Sequence, residues 1–386
     1  MREDQPVSFD DMFQAYIDCR KRKKRKKGAK RFEPYAVHNI RVLVEEINAR
    51  RYKVKPSECF IVKYPVPREV FCAAFRDRIV QHFVYNELNP VIEKLIIRDT
   101  CSCRVGKGTD YAIERCARFV RRETANYTMP CHFAKLDLSG FFMSIDRQKL
   151  LDDILCVIDN WYEGPYTSVL RYLVRIIIMT DVTVKAVRLS PKKDWDLLPP
   201  NKTLFGNDHG LPIGNITSQL FANFFLNRVD HYVKSRHRSY VRYVDDMIIV
   251  DTDKRKLAET MRGVSVILSV MGMRLNVKKS IISDVKYGID FLGVKIYPHF
   301  TVLSKRRIGR LWYGLAGFKT PEQAFRSASS RKGMLNRYHG RRIAARWYDA
   351  FPDEWKDRLK MDSDATFHLI GEKPDKTKLH TISLYG

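Results

Sequence analysis

The sequence predicts an α+β fold, and three observations support this prediction. Apolar residues recur at helical spacing in residues 32–52, where Ile40, Leu43 and Ile47 share one face. Short apolar segments typical of strands occur at residues 60–62, 133–138, 240–244 and 247–250. The last two of these segments flank Asp245 and Asp246, which predicts a hairpin with two acidic residues at its tip.

The remaining elements follow from the same patterns. Helices are predicted at residues 74–97, 220–233 and 257–271 and in a segment ending near Arg122, a buried element at 170–179 and a strand at 291–297. Residues 181–210 are polar and contain prolines, which predicts a surface excursion. Beyond Leu303, basic and aromatic residues at helical spacing predict a separate helical part of the protein.

The charge of the chain predicts a polyanionic partner. The 386 residues include 70 Lys and Arg against 44 Asp and Glu, a formal net charge of +26, and nucleic acid is the natural ligand for such an excess. An anionic membrane surface is the competing interpretation, but no apolar segment is long enough to span a bilayer. We therefore expect a soluble, cytoplasmic protein that binds nucleic acid and no membrane.

A basic run between Arg20 and Lys27 leaves two interpretations open. It is either an arm that contacts RNA, which the overall charge favours, or a solvated or disordered face.

Three carboxylates are the strongest candidates for chemistry. An Asp-Asp pair at a turn usually serves only the turn itself. Here Asp245 and Asp246 have apolar segments on both sides, and two adjacent buried carboxylates repel each other and require a counter-ion. Asp137 follows another predicted strand and joins them if the strands are neighbours. Oxygen ligands of this kind suit Mg²⁺.

These residues belong to five blocks that together resemble a known family. Tyr243-Val244-Asp245-Asp246 resembles the YxDD box of reverse transcriptases, and residues 136–142 resemble their first catalytic block. The other blocks are Leu211-Pro212-Ile213-Gly214, Lys278-Lys279-Ser280 and Phe291-Leu292-Gly293, which resemble the template-and-nucleotide block, the lysine block and the primer-grip turn. The resemblance implies a right-hand polymerase with fingers, a palm and a helical thumb.

Within that family, residues 213–223 resemble the reverse transcriptases of diversity-generating retroelements. Ile213 and Gln219 are the distinguishing residues, since enzymes of group II introns and retrons generally have Gln and Pro at these positions. Val66 is a departure, because relatives often have a basic residue there. The resemblance implies copying of a template-repeat RNA into cDNA with low fidelity at template adenines.

The resemblance also implies roles for the metal ligands. Asp137 and Asp245 would bind two Mg²⁺ ions, for which Mn²⁺ is a possible substitute, with the Leu138 carbonyl completing one shell and Asp246 as the adjoining carboxylate. Lys279 would protonate the leaving pyrophosphate, although Lys278 competes for this assignment and an exposed lysine is the plain alternative.

Further residues are implied at the nucleotide and at the template and primer. Phe142 would exclude a ribose 2′-hydroxyl, and Ile213 with Gly214 would line the incoming nucleotide; a core role is the alternative for Phe142 and Ile213. Arg68, Arg104 and Lys107 are candidates for the triphosphate, or for ordinary surface charges. The expected template and primer contacts are Gln219, Tyr243, Phe291, Leu292 and Gly293.

The implied domain order has five parts. Residues 1–55 form a basic helical extension, 56–132 the fingers, 133–300 the palm with the 181–210 insertion, 301–360 the helical thumb and 361–386 a loosely ordered tail. Expected partners are a template RNA, a cDNA or primer strand, deoxynucleoside triphosphates and a small basic accessory protein. The alternatives are a retron or phage-defence reverse transcriptase and, in another class, a catalytically silent RNA-binding protein.

Overall fold

The computed structural model describes residues 4–21, 23, 25–64, 66–199, 202–315 and 317–370. These residues fall into two compact units. The first contains the residues up to 112 together with 134–282, and the second contains residues 113–133 together with those from 283 onward. The predicted fingers and palm therefore lie mostly in the same unit.

The fold combines helices with short strands, as the α+β prediction requires. The helices are α1 Phe9–Arg20, α2 Lys27–Phe32, α3 Ala36–Asn48, α4 Phe75–Leu95, α5 Thr109–Glu123, α6 Phe141–Ser144, α7 Arg147–Trp161, α8 Thr167–Met179, α9 Lys192–Trp195, α10 Ile216–Phe225, α11 Asn227–Arg236, α12 Lys254–Val270, α13 Lys305–Leu315, α14 Pro321–Leu335, α15 Gly340–Asp349 and α16 Asp353–Lys356. The strands are β1 Glu58–Val62, β2 Arg68–Cys72, β3 His132–Leu136, β4 Val187–Arg188, β5 Tyr240–Tyr243, β6 Asp246–Asp251, β7 Ile281–Asp284, β8 Ile289–Phe291, β9 Val294–Ile296, β10 Thr301–Leu303, β11 Leu359–Met361 and β12 Phe367–Leu369.

A helical layer supports the first unit. Helix α4 packs against α1, α7, α8 and α10, and its Phe83, Val84 and Leu88 are buried in the main core. Burial of such side chains stabilises the fold by about 1.5–3 kcal/mol each. At the start of α4 the buried Asp77 accepts hydrogen bonds from the Tyr52 hydroxyl and the Lys55 amide. These two bonds fix the chain that enters β1.

The central sheet, which lies mostly in the first unit, has the strand order β5-β6-β3-β7. Strands β5 and β6 pair antiparallel, from Tyr240 opposite Ile249 to Tyr243 opposite Asp246. Residues Met247 to Val250 are all buried, which explains why β6 is continuously apolar instead of alternating. The order places β6 beside β3, and the effect of the Asp137 charge on the pKa of Asp245 shows that the end of β3 lies near the start of β6.

A second sheet includes one short strand of the 181–210 insertion. Its order is β2-β1-β4, with β1 and β2 antiparallel and β4 parallel to β1. The prediction that residues 181–210 form a surface excursion is only partly right. The fully buried carboxylate of Glu69 accepts hydrogen bonds from the Thr203 hydroxyl at 2.9 Å and the Leu204 amide at 2.7 Å, so the later part of the insertion is anchored to β2.

The second unit has its own core, centred on the fully buried Trp347 with Phe351 and Phe367. It also contains a three-stranded sheet of order β10-β9-β8. The single strand predicted at residues 291–297 is wrong, because β8 and β9 form a hairpin. The chain reverses at Leu292 and Gly293, with φ of 50° and 82°.

Most predicted helices are confirmed, with one difference. The segment predicted at residues 220–233 is two helices, α10 and α11, that meet at Leu226. Of the basic run, Arg22 and Lys24 lie outside the described residues, as do residues 371–386 of the predicted tail; residues 361–370 include β12. No helix among the described residues combines the length and the apolar character needed to cross a membrane.

Candidate active site

The β5–β6 hairpin presents two of the three candidate carboxylates. Because Tyr243 pairs with Asp246, the turn consists of Val244 and Asp245. Val244 adopts a φ of 58°, a left-handed conformation that is unfavourable for a β-branched residue. The buried strands on both sides hold this turn at the edge of the sheet.

Asp137 lies directly after β3, at the same edge. Its carbonyl accepts a hydrogen bond of 2.7 Å from the Asn276 amide, and the Ser139 amide donates to Arg274 at 3.0 Å. These bonds flank Leu138, which forms an isolated antiparallel bridge with Leu275. Neither bond uses the Leu138 carbonyl, the oxygen implied as a metal ligand.

The charges of the three carboxylates interact with one another. Burial, with smaller contributions from the charges of Asp137 and Asp246, raises the pKa of Asp245 to about 6. Burial also raises the pKa of Asp246, against the opposing effect of Lys135. The three side chains therefore form one charged cluster, and a bound cation would favour their ionised forms.

Two lysines balance part of this charge. Lys279 Nζ lies 3.0 Å from Asp137 Oδ2, which favours Lys279 over Lys278 as the lysine of the site. Lys135 Nζ lies 3.4 Å from Asp246 Oδ1. The sequence interpretation missed Lys135, although it stands two positions before Asp137 in a strand and such residues share a face.

The donors at this edge suit a hard divalent cation. Asp246 Oδ1 has Lys135 Nζ at 3.4 Å as its ion-pair partner, and the available ligands are carboxylate and carbonyl oxygens, which Mg²⁺ prefers. Among the described residues, no three acidic, His or Cys side chains are grouped closely enough to form a complete metal site by themselves. Mg²⁺ usually takes only one or two carboxylates and fills its shell with water and substrate phosphate. The residues present fit that mode of binding.

The three cationic candidates for the triphosphate differ in their exposure and in their hydrogen-bond partners. Arg68 is exposed, and its charge lowers the pKa of Asp245, which places it near the carboxylates. Arg104 is largely buried and donates to Glu93 and to the carbonyls of Ile97 and Thr100. These bonds occupy its guanidinium and favour a structural role.

Lys107 has a partner on the main chain. Its ammonium donates to the Arg98 carbonyl at 2.8 Å, and burial, together with the neighbouring Arg104, lowers its pKa. Of the three candidates, Arg68 is the one best placed to meet a phosphate.

The segment Leu211 to Gly214 is held between two elements. The Leu211 amide donates to the Phe142 carbonyl, and the Phe71 amide of β2 donates to the Ile213 carbonyl, both at 2.8 Å. Gly214 has a φ of 121°, and a Cβ there would lie 2.4 Å from the Phe71 carbonyl oxygen. Only glycine fits this position without displacing β2.

The side chains of this segment connect it to the insertion. Ile213 is half-buried and packs against a cluster of Cys59, Phe71, Met143 and Leu204. Leu204 belongs to the insertion, so the insertion supports the wall to which Ile213 belongs. Phe142 is half-buried beside Phe141, with ring centroids 5.3 Å apart.

The template and primer candidates are divided between the two units. Gln219 is exposed on α10, and the Tyr243 hydroxyl lies 3.5 Å from the Thr109 hydroxyl. Phe291 ends β8, and Leu292 and Gly293 form the β8–β9 turn of the second unit, where the Ser304 amide donates to the Gly293 carbonyl at 3.1 Å.

One family of known proteins matches the part of the chain that contains this site. The model of the family "Reverse transcriptase (RNA-dependent DNA polymerase)" matches residues 66–296, more than half of the chain. None of the curated proteins compared with the chain matches it. One solved structure similar to the chain is that of a telomerase from Candida albicans in complex with a TWJ fragment of telomeric RNA, with a TM-score of 0.43 and 12% identity. The match covers 79% of this chain and 56% of the telomerase chain, so this chain spans little more than half of that relative's length.

The family match includes all three carboxylates and the block from Leu211 to Gly214. It confirms the sequence prediction at the level of the family: the chain belongs to the reverse transcriptases, the RNA-dependent DNA polymerases.

Proposed function

We propose that the chain copies an RNA template into cDNA by two-metal-ion nucleotidyl transfer and that it serves a diversity-generating retroelement. The observation that carries the proposal is the meeting of Asp137, Asp245 and Asp246 at one edge of the central sheet, where Asp137 and Asp246 both contribute to the raised pKa of Asp245. Carboxylates that are half-buried and repel one another destabilise a fold unless a cation compensates their charge.

The metal chemistry of the proposal follows from these carboxylate oxygens. Asp137, Asp245 and the Leu138 carbonyl would hold two Mg²⁺ ions, or Mn²⁺ in their place, with Asp246 adjoining, and the ions would supply charge stabilisation at the attacking and leaving oxygens. Lys279, already 3.0 Å from Asp137, is within reach of the same region and would donate a proton to the leaving pyrophosphate. Arg68 would hold the triphosphate, in preference to Arg104 and Lys107.

The residues around the nucleotide support the subfamily. Ile213 offers an apolar side chain where enzymes of group II introns and retrons generally have Gln, so it cannot make the hydrogen bonds that help to fix a nascent base pair. Phe142 would exclude the 2′-hydroxyl of a ribonucleotide, and its carbonyl is fixed to the Leu211 amide. Low fidelity at template adenines together with preference for deoxynucleotides is the expected result.

The remaining parts of the proposal concern architecture and partners. Residues 56–132 would act as fingers, residues 133–300 as palm and the helices of residues 301–360 as thumb, with Gln219, Tyr243 and the segment from Phe291 to Gly293 at template and primer. A template-repeat RNA and a small basic accessory protein are the proposed partners, and the cytoplasm is the proposed location. The formal charge of +26 supports the RNA partner.

Primer extension on an RNA template with Mg²⁺ and deoxynucleotides tests the proposal. The intact chain should extend the primer, Asp245→Asn should not, and errors should concentrate opposite template adenines. Accurate extension would keep the polymerase but favour a retron or phage-defence enzyme. No extension, even with the template-repeat RNA and accessory protein added, would favour a catalytically silent RNA-binding protein.

A further inference from the structure

The arginine that precedes the catalytic turn is buried completely. Arg242 lies in the middle of β5 with 0% exposure and forms an ion pair with Asp230, which is also 0% exposed. Its Nε and Nη2 donate to the two oxygens of Asp230 at 2.7 and 2.6 Å. Stability alone does not explain a buried, bidentate ion pair of this kind, because proteins with apolar residues of similar volume in its place are often equally stable or more stable.

The remaining N–H groups of the same guanidinium donate to Asn223 and to the main chain of the turn. Nη2 donates to the Asn223 carbonyl at 2.8 Å, and Nη1 donates to the Asn223 side-chain oxygen at 3.2 Å. Nη1 also donates to the Val244 carbonyl at 2.9 Å. All five N–H groups of Arg242 therefore have acceptors, and one of these acceptors is the first residue of the two-residue turn.

That acceptor is the strained residue of the hairpin. Val244 has a φ of 58°, which its β-branched side chain disfavours, and its carbonyl carbon is bonded directly to the nitrogen of Asp245. A hydrogen bond to this carbonyl fixes the peptide plane between Val244 and Asp245. Without it, the turn can relax towards a negative φ, and the Asp245 carboxylate would change direction.

Asp230 is fixed by other partners in turn. The Tyr240 hydroxyl donates to it at 2.7 Å and the Thr100 hydroxyl at 2.8 Å. The main chain of Arg242 pairs with the segment around Thr100, through bonds of 3.0 Å to the Asp99 carbonyl and 2.9 Å from the Cys101 amide. The guanidinium is thus held in one orientation by α10, α11 and residues 99–101.

We propose that Arg242 is a positioning residue that fixes the Val244-Asp245 peptide and thereby aims the catalytic carboxylates. This inference rests on the proposed function. Lysine cannot replace it, because one ammonium group cannot satisfy Asp230, Asn223 and Val244 in a single plane. The guanidinium acts through the main chain and has no contact with substrate in this role.

Three variants separate positioning from general stability. Arg242→Lys keeps the charge but loses the planar fork. Arg242→Gln combined with Asp230→Asn removes both buried charges and leaves hydrogen-bonding groups in their place. This double variant replaces Arg242→Lys in the assay if Arg242→Lys does not fold. Arg242→Lys combined with Val244→Gly removes the strain that the guanidinium counteracts, because glycine adopts positive φ freely.

A matched control is the pair Arg76 and Glu46, a half-buried ion pair elsewhere in the first unit. Arg76→Gln combined with Glu46→Gln removes both charges of that pair and leaves the hairpin untouched.

The first readout is primer extension by folded protein, with kcat and the KM for deoxynucleotide measured separately. Arg242→Lys should lower kcat about 100-fold, as a misplacement of about 1 Å does, and change KM by less than about threefold. Adding Val244→Gly should restore kcat by about threefold or more, and the control pair should keep kcat within about threefold of the unaltered chain. A folded Arg242→Lys protein with the kcat of the unaltered chain, or an equal loss in the control, would overturn the inference.

The second readout does not depend on activity. Amide hydrogen exchange should become faster in the peptide containing residues 243–247 when Arg242 is changed, with the helices of the main core unaffected. If the unaltered chain shows no extension, the proposed function fails, and the exchange result decides about the positioning role by itself. Unchanged exchange at the turn, or faster exchange throughout the unit, would refute it.

Discussion

Replacement of Gly214 by alanine should lower both the stability of the protein and its rate of nucleotide addition. The added Cβ would lie 2.4 Å from the Phe71 carbonyl oxygen and 3.0 Å from Val70 Cγ1, so the Phe71 contact must open to at least 3.0 Å. The backbone at φ of 121° adds a cost of about 1–3 kcal/mol for any residue with a side chain. We expect a comparable loss in the free energy of unfolding.

The larger effect should be on nucleotide addition. The Ile213 carbonyl is bonded to the Phe71 amide, so the shift displaces the wall of the nucleotide site together with β2. A displacement of about 1 Å at a reacting group costs about 100-fold in rate, so an opening from 2.4 to 3.0 Å should cost about tenfold. Single-nucleotide extension should show this loss in kcat/KM.

Gly272→Ala is the matched control, because Gly272 has a φ of 81° and no atom within 4 Å of the added Cβ. It should lose stability from backbone strain but retain kcat/KM within about threefold. Equal kcat/KM for the two variants would refute the reasoning from the Phe71 contact.

Three further predictions concern other parts of the first unit. Arg68→Gln should raise the KM for deoxynucleotide about tenfold without loss of stability, whereas Arg104→Gln should lower the melting temperature and leave KM unchanged; steady-state kinetics with thermal unfolding would check both, and the reverse pattern would contradict the assignment. Phe142→Val should increase ribonucleotide incorporation about 10–100-fold relative to deoxynucleotide, measured by competition in single-nucleotide extension; an unchanged ratio would show that Phe142 is only a core residue. Burial, followed by the charge of Lys23, lowers the pKa of His82 from 6.5 to about 4, so the unfolded chain takes up a proton first. Stability should therefore fall as the pH drops from 6.5 towards 4, by up to about 3 kcal/mol; urea unfolding should show that His82→Gln reduces this dependence, and an equal loss in the variant would contradict it.

The elements that local pattern determines could be predicted from the sequence. Helix α4 and the β5–β6 hairpin follow from apolar periodicity, which burial of one face or both faces imposes. The β8–β9 hairpin did not follow from local pattern, because Leu292 gives no sign of its φ of 50° and a residue with a branched side chain disfavours that conformation; only the family resemblance indicated a turn at residues 291–293. The insertion was misjudged for a related reason, since β4 is only two residues long and depends on pairing with the distant β1.

The candidate site shows the same division between local and tertiary information. The three aspartates stand in recognisable blocks, and the order of strands brings them to one edge. The engagement of Arg104 with Glu93 could not be seen, because a basic residue in a turn looks the same whether it meets a phosphate or an internal carboxylate. Arg242 gave a usable signal, since a charge in the middle of an apolar hairpin strand must have a buried partner.

The anchoring of the insertion on β1 and β2 limits how far the polymerase can be shortened. Removing residues 181–210 would uncover the edge of β1 and leave the buried Glu69 carboxylate without Thr203 and Leu204. An exposed strand edge recruits other chains, so the shortened protein should aggregate. A protein engineer who wants a smaller enzyme should therefore trim the exposed turn around Val184 and keep everything from Val187 onward, together with the Glu69 contacts.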